Sequence, residues 1–239
     1  MKMHKFEPKP FFILFFLSLF ILITWANGLF DQVWKAVDES LFFTLNQTLA
    51  VNKIWSGIWA FLSVRSADLL TLIIILLFFY FQGILFNKGD RIKGLVGFTT
   101  LLFLMLVTRE IIDLFVEVYN LNRQSPSLVL EPAIMLSDIH SFNLKDSSPS
   151  SFPGDHAAVL FTWFGYCIYY SRNKWSFLVL FFVILFTIPR LIAGAHWFSD
   201  VAVGGLAISL ITLSIGLYTP LLNKVNSNLL LFLTRLMKQ

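Results

Sequence analysis

The chain of 239 residues is 57% hydrophobic and 17% aromatic but only 13% charged, with a mean hydropathy of +0.75. A soluble domain carries about 25% charged residues, so this composition excludes an ordinary water-facing surface and makes a bilayer the natural solvent. The formal net charge of +4 is spread through short loops between apolar runs, which argues against a nucleic-acid partner.

In chain order, Lys2, Lys5 and Lys9 precede an apolar run over 11–25. The layout is that of a signal peptide, but Trp25-Ala26-Asn27-Gly28 is a poor small-residue cleavage site. An uncleaved anchor forming a first span near 11–29 is expected. The stretch 31–65 is amphipathic, with Leu41, Phe42, Leu45, Leu49, Trp55 and Trp59, and is expected to lie as interfacial helix. About twenty apolar residues cross a bilayer, and further windows of that kind fall near 69–86 and 94–118. Arg109, Glu110, Asp113 and Glu117 at the end of the third window are read as a solvated face at the headgroups. The longest polar stretch is 120–155, with Pro126, Pro132, Pro149, Pro153 and the tract Ser147-Ser148-Pro149-Ser150-Ser151. Spans near 156–170, 177–192 and 201–217 follow, then a short interfacial helix over 223–239. Cys167, the single cysteine, is read as a small buried hydrophobe.

The expected fold is therefore an all-α integral membrane protein of one domain, 1–239, with six transmembrane helices, interfacial helices and a long outer loop. Charge distribution supports this topology. With the amino terminus inside, 11 of the 18 Lys and Arg residues face the cytoplasm against only Glu7 and Asp90, while twelve of the 14 acids lie outside. The short inner loops are the basic ones, as the positive-inside rule requires. Both termini are then cytoplasmic, and the segments 120–155 and 189–200 share the outer face.

Those two segments carry the chemistry. His196 and Asp200 are four residues apart, which on a helix places both on one face. A carboxylate on one ring nitrogen fixes the tautomer and leaves the other nitrogen as nucleophile. Arg190 can aim its planar fork at phosphate oxygens. Pro153-Gly154-Asp155-His156 reads as a helix start, whose unpaired N–H groups at Gly154 and Asp155 favour an anion. His156 could protonate a leaving oxygen, while Arg123 and Lys145 add positive charge. For any one of these residues, a snorkelling cation or a wet interfacial His is the simpler explanation. The whole set is better explained by phosphoryl transfer, which is mostly positioning and charge neutralisation. No Walker loop or metal-ligand spacing is present, so neither metal nor cofactor is expected.

The same residues resemble the three signature motifs of the type-2 phosphatidic acid phosphatase superfamily. The third motif is matched at Arg190, His196 and Asp200, with Pro189 where Ser is usual. The second is matched at Pro153 and His156, with Gly154 and Asp155 departing from it. The first keeps Arg123, with Val116 in the Lys position and Gln124 in the Pro position. The resemblance implies a phosphohistidine at His196, His156 as general acid, Asp200 orienting His196, and Arg123 and Arg190 binding phosphate. Lys145 is the candidate substitute for the missing Lys. Lys145-Asp146, the Gly194-Ala195-His196-Trp197-Phe198 run, and Arg65 with Asp68 are similar to a bacterial subgroup of that superfamily. Its members move phosphate from undecaprenyl diphosphate to the 1-phosphate of lipid A, which implies these lipids as partners and the periplasmic face of the inner membrane as the location. Hydrolysis of undecaprenyl diphosphate or another lipid phosphate stays open beside transfer, as does a non-catalytic lipid-binding or transport protein. Oligomeric state is not legible.

Overall fold

The computed structural model describes residues 5–81, 86, 89–171 and 175–236. Lys2, Lys88, Arg172, Lys174 and Lys238, together with residues 82–85 of the expected second span, lie outside the described residues. Among the described residues all regular structure is helical, and an isolated antiparallel bridge joins Val64 to Leu144.

Helix α1 runs Pro8–Ala26, three residues earlier than expected. Pro8 and Pro10 occupy its first turn, where a missing N–H costs nothing, so a window based on hydropathy starts too late. The amphipathic stretch folds as α2 (Asp31–Asn46), a 3-10 turn (Gln47–Ala50) and α3 (Lys53–Ser63). Helices α4 (Ala67–Tyr80) and α5 (Arg91–Val118) follow. Two single turns, α6 (Pro126–Val129) and α7 (Leu136–Ile139), lie within the polar stretch. Then come α8 (Asp155–Ser171) and α9 (Trp175–Ile192), a wide π-type turn (Asp200–Gly205) leading into α10 (Leu206–Tyr218), and α11 (Leu221–Leu236). Pro8–Ala26, Arg91–Val118 and Asp200–Tyr218 are long and apolar enough to cross a membrane, and Ala67–Tyr80 and Phe177–Ile192 are shorter apolar segments.

Helices α1 and α10 pack antiparallel, as do α5 and α8. Glu7 at the start of α1 donates its N–H to the Tyr218 carbonyl at the end of α10, and the Tyr166 hydroxyl of α8 donates to the Gly94 carbonyl of α5 at 2.8 Å. Leu101, Leu160, Trp163, Tyr166, Val179 and Val183 form the main core. Phe16, Phe20, Phe103, Ile111, Phe177 and Phe181 point outward and exposed. Apolar surface of this extent suits lipid rather than water. Helix α11 is tied to the first half of α5 by a Thr100–Asn226 hydrogen bond of 2.7 Å.

Above one end of this bundle, α2, α3 and the stretch 120–155 form a cap. Its buried contact with the end of α9 consists of Leu49, Ala60, Leu136, Ile192 and Ala193. The expected long loop is pinned throughout. The Asn46 amide donates to the carbonyls of Ile134 and Ile192, both at 3.0 Å, and accepts the Ile134 N–H at 2.8 Å. Ser125 pairs with Ser148, and His140 Nε2 lies 2.9 Å from the Ser56 hydroxyl. Under the cap, the ends of α1, α5 and α9 meet the starts of α4, α8 and α10.

Candidate active site

The start of α8 and the π-type turn that leads into α10 touch through backbone. The Gly154 N–H donates to the Asp200 carbonyl at 3.0 Å, and a Cβ at 154 would sit 2.8 Å from that oxygen. Only glycine permits this approach. Gly154 therefore cannot offer its N–H to a phosphate, contrary to expectation. The Gly154 carbonyl accepts the Ala158 N–H, so Asp155, His156 and Ala157 form the first turn, where N–H groups lack intrahelical acceptors. Gly194, with φ of +76°, turns the chain between α9 and His196; a Cβ there would meet Ser127 at 2.8 Å.

His196, Arg190 and His156 converge on one small cavity, with Gly154, Ala157, Thr187 and Val201 completing its wall. His196 is 7% exposed and Arg190 4%. His196 precedes the helix rather than lying on it. Its Nδ1 is 2.8 Å from the Ser151 carbonyl oxygen and 3.4 Å from Asp200 Oδ2. A carbonyl can only accept, so Nδ1 carries a proton, and in the neutral ring the lone pair is on Nε2. The nearest partner of the imidazole is thus a backbone group that sequence reasoning did not name. Asp200 Oδ2 accepts the Trp197 N–H at 2.8 Å, in the manner of a capping box.

Arg190 is held by the Ser63 carbonyl at 3.1 Å and by Asp68 Oδ1 at 2.7 Å. His156 Nδ1 lies 3.6 Å from the same Asp68 oxygen. Lys145 stands among Arg190, Asp155, Asp68 and Arg65, and burial, then Arg190, holds its ammonium below the ordinary lysine value. Asp155 turns toward α5, accepting from Arg109 Nε at 3.0 Å. Asp146 is buried and serves the cap, accepting the Ser137 N–H at 2.8 Å.

Arg123 differs most from expectation. Nε and Nη2 donate to Asp200 Oδ1 at 3.1 and 2.6 Å, and Nη1 donates to Asp38 Oδ2 at 3.0 Å. The Trp25 and Trp197 rings flank the guanidinium at 5.4 and 5.1 Å. Nε, Nη1 and Nη2 each have partners within the protein, and Arg123 is not among the residues that line the cavity. Asp38, which sequence reasoning missed, is 1% exposed and also accepts from the Ser199 N–H and hydroxyl at 2.8 and 2.6 Å. Burial pushes its carboxyl up, against the pull of Arg123 and Ser199. The available signal was its register: Asp38, Phe42 and Asn46 recur every four residues, and all three are buried.

An all-helical membrane-type bundle with a His–Arg–His cavity capped at one end defines the class. Residues 98–222 match the family model described as the PAP2 superfamily, and the chain belongs to that superfamily. It is 27% identical to the lipid A 1-diphosphate synthase of Escherichia coli strain K12 over 211 residues, 87% of this chain and 86% of the relative. The crystal structure of Aquifex aeolicus LpxE covers 75% of this chain and 94% of its own, at 20% identity and a TM-score of 0.48.

Proposed function

We propose that this chain is a lipid phosphotransferase that moves a phosphoryl group from undecaprenyl diphosphate to the 1-phosphate of lipid A through a phosphohistidine at His196. The single domain 1–239 crosses the bacterial inner membrane six times, with α2 and α3 interfacial, the site on the periplasmic side and both termini in the cytoplasm. The observation that carries this assignment is the convergence of His196, His156 and Arg190 on one cavity. The relative's name points to lipid A as the acceptor, and undecaprenyl diphosphate as the donor follows from the motif resemblance.

His196 Nε2, its lone pair freed because Nδ1–H is bound to Ser151, attacks the terminal phosphorus. A bond forms between Nε2 and phosphorus, and the bond from phosphorus to the bridging oxygen breaks. His156, whose Nδ1 lies 3.6 Å from Asp68 Oδ1, gives its proton to that oxygen. Arg190 and Lys145 neutralise the non-bridging oxygens, joined by the first-turn N–H groups of α8. Asp68 holds Arg190 in place, Arg65 adds charge beside Lys145, and Asp146 fixes the cap segment that carries it. An oxygen of the lipid A phosphate then attacks phosphorus and the bond to Nε2 breaks. No step calls on a metal.

The test uses undecaprenyl diphosphate labelled on its terminal phosphate, in detergent with EDTA, with and without lipid A. Label on lipid A is the expected result. Label only in inorganic phosphate makes the chain a lipid phosphate phosphatase with the same site. Turnover retained by His196→Ala would remove the phosphohistidine.

A further inference from the structure

We infer that Asp38 is a positioning residue for His196, acting through Arg123, Ser199 and Ser151. This rests on the proposed role of His196 as nucleophile. The carboxylate belongs to α2, which precedes the residues matched by the family, so the site of this chain includes a part supplied from outside the family's own motifs.

Asp38 reaches the imidazole along two paths, both built from short contacts. In the first, Arg123 bridges Asp38 to Asp200, whose other oxygen lies 3.4 Å from His196 Nδ1. In the second, the Arg123 backbone carbonyl accepts the Ser151 N–H at 2.9 Å, and the Ser151 carbonyl takes the proton side of His196 at 2.8 Å. Both groups near Nδ1 are therefore anchored on Arg123. Arg123 is in turn fixed by two buried carboxyl groups and two indole faces. Asp38 also accepts both the N–H and the hydroxyl of Ser199, which sets the start of the sixth span relative to α2. A surface acid would not justify this arrangement. Burying a carboxylate is costly unless it is paired and hydrogen-bonded, and here every bond it makes leads to the nucleophile's frame.

The experiment is Asp38→Asn, with Asp31→Asn on the exposed start of the same helix as control. Turnover is measured on full-length protein in detergent, normalised to the folded fraction from near-UV circular dichroism. The expected result is a fall in kcat of about 10- to 100-fold, the size of loss that misplacing a reacting group produces. The KM for the lipid diphosphate should stay within about threefold, because Asp38 does not touch substrate, and single-turnover labelling of His196 should slow in step with kcat. An unchanged kcat per folded molecule would overturn the inference, and so would a rise in KM at constant kcat. Inactive wild-type protein would sink the proposed function as well, whereas active wild type with an equally active Asp38→Asn variant would sink only the role of Asp38.

Discussion

Replacing Asp200 by Asn separates two ways in which a carboxylate can serve a nucleophilic histidine. Where a buried Asp is the sole partner of the ring, the Asn variant holds the wrong tautomer and loses about 10⁴ in kcat. Here the shorter contact is to the Ser151 carbonyl, 2.8 against 3.4 Å, and that carbonyl survives the substitution. The tautomer should therefore persist, and the kcat loss should be about 10²-fold or less, from displacement of the frame. Stability should suffer more. Asp200 is fully buried and accepts from Arg123 twice and from the Trp197 N–H. The Asn amide must turn its NH₂ toward one of these donors. A broken buried ion pair costs about 3–5 kcal/mol; since Asp38 still holds Arg123, about 3 kcal/mol is expected. Denaturant unfolding in detergent measures the second quantity and turnover per folded molecule the first. A kcat loss near 10⁴ in a well-folded variant would refute the primacy of Ser151.

Gly154→Ala places a methyl 2.8 Å from the Asp200 carbonyl, so a stability loss of about 1–3 kcal/mol and a fall in kcat should appear together. Arg190→Lys keeps the charge but loses the fork that spans Ser63 and Asp68; a fall in kcat/KM of about 10²-fold is expected, measured on the lipid diphosphate. Burial, then Arg190, holds the Lys145 ammonium below the ordinary lysine range. KM for the lipid diphosphate should therefore rise as pH increases through that lowered value, and Lys145→Arg should flatten the alkaline limb. The effect on stability has the opposite sign: between the lowered value and the ordinary lysine value the unfolded chain binds more protons, so Lys145 makes folding more favourable as pH rises through that window.

Much of this organisation was legible because it is written in local pattern. Apolar windows located the helices, and the spacing of Arg190, His196 and Asp200 brought three site residues to one neighbourhood. Boundaries were missed where backbone chemistry overrides hydropathy, as at Pro8 and Pro10. Roles were harder to read than positions. An arginine looks like a phosphate ligand until its partners are known, and those of Arg123 lie 85 and 77 residues away in sequence. The Ser151 carbonyl was invisible because a main-chain acceptor leaves no mark on residue type. Asp38 was overlooked because an acid in an amphipathic helix is usually assigned to the wet face.

In the proposed reaction, the placement of charge also bears on how a histidine buried beside arginine would accept a phosphoryl group. When Nε2 bonds to phosphorus while Nδ1 keeps its proton, the ring becomes cationic, and Arg190 on the cavity side opposes that charge. Behind the ring, one guanidinium stands between two carboxyl groups, Asp38 and Asp200, so the frame leans negative where the imidazole needs it. Arg123 is paired with those acids, and in the proposed reaction the cations that meet phosphate are Arg190 and Lys145. On the proposed mechanism, positive charge faces the substrate and negative charge backs the nucleophile. Electrostatic stabilisation of a transition state depends on such prior orientation of fixed charges rather than on their number. Losing Asp38 would weaken the backing as well as the geometry, so its effect should fall on kcat.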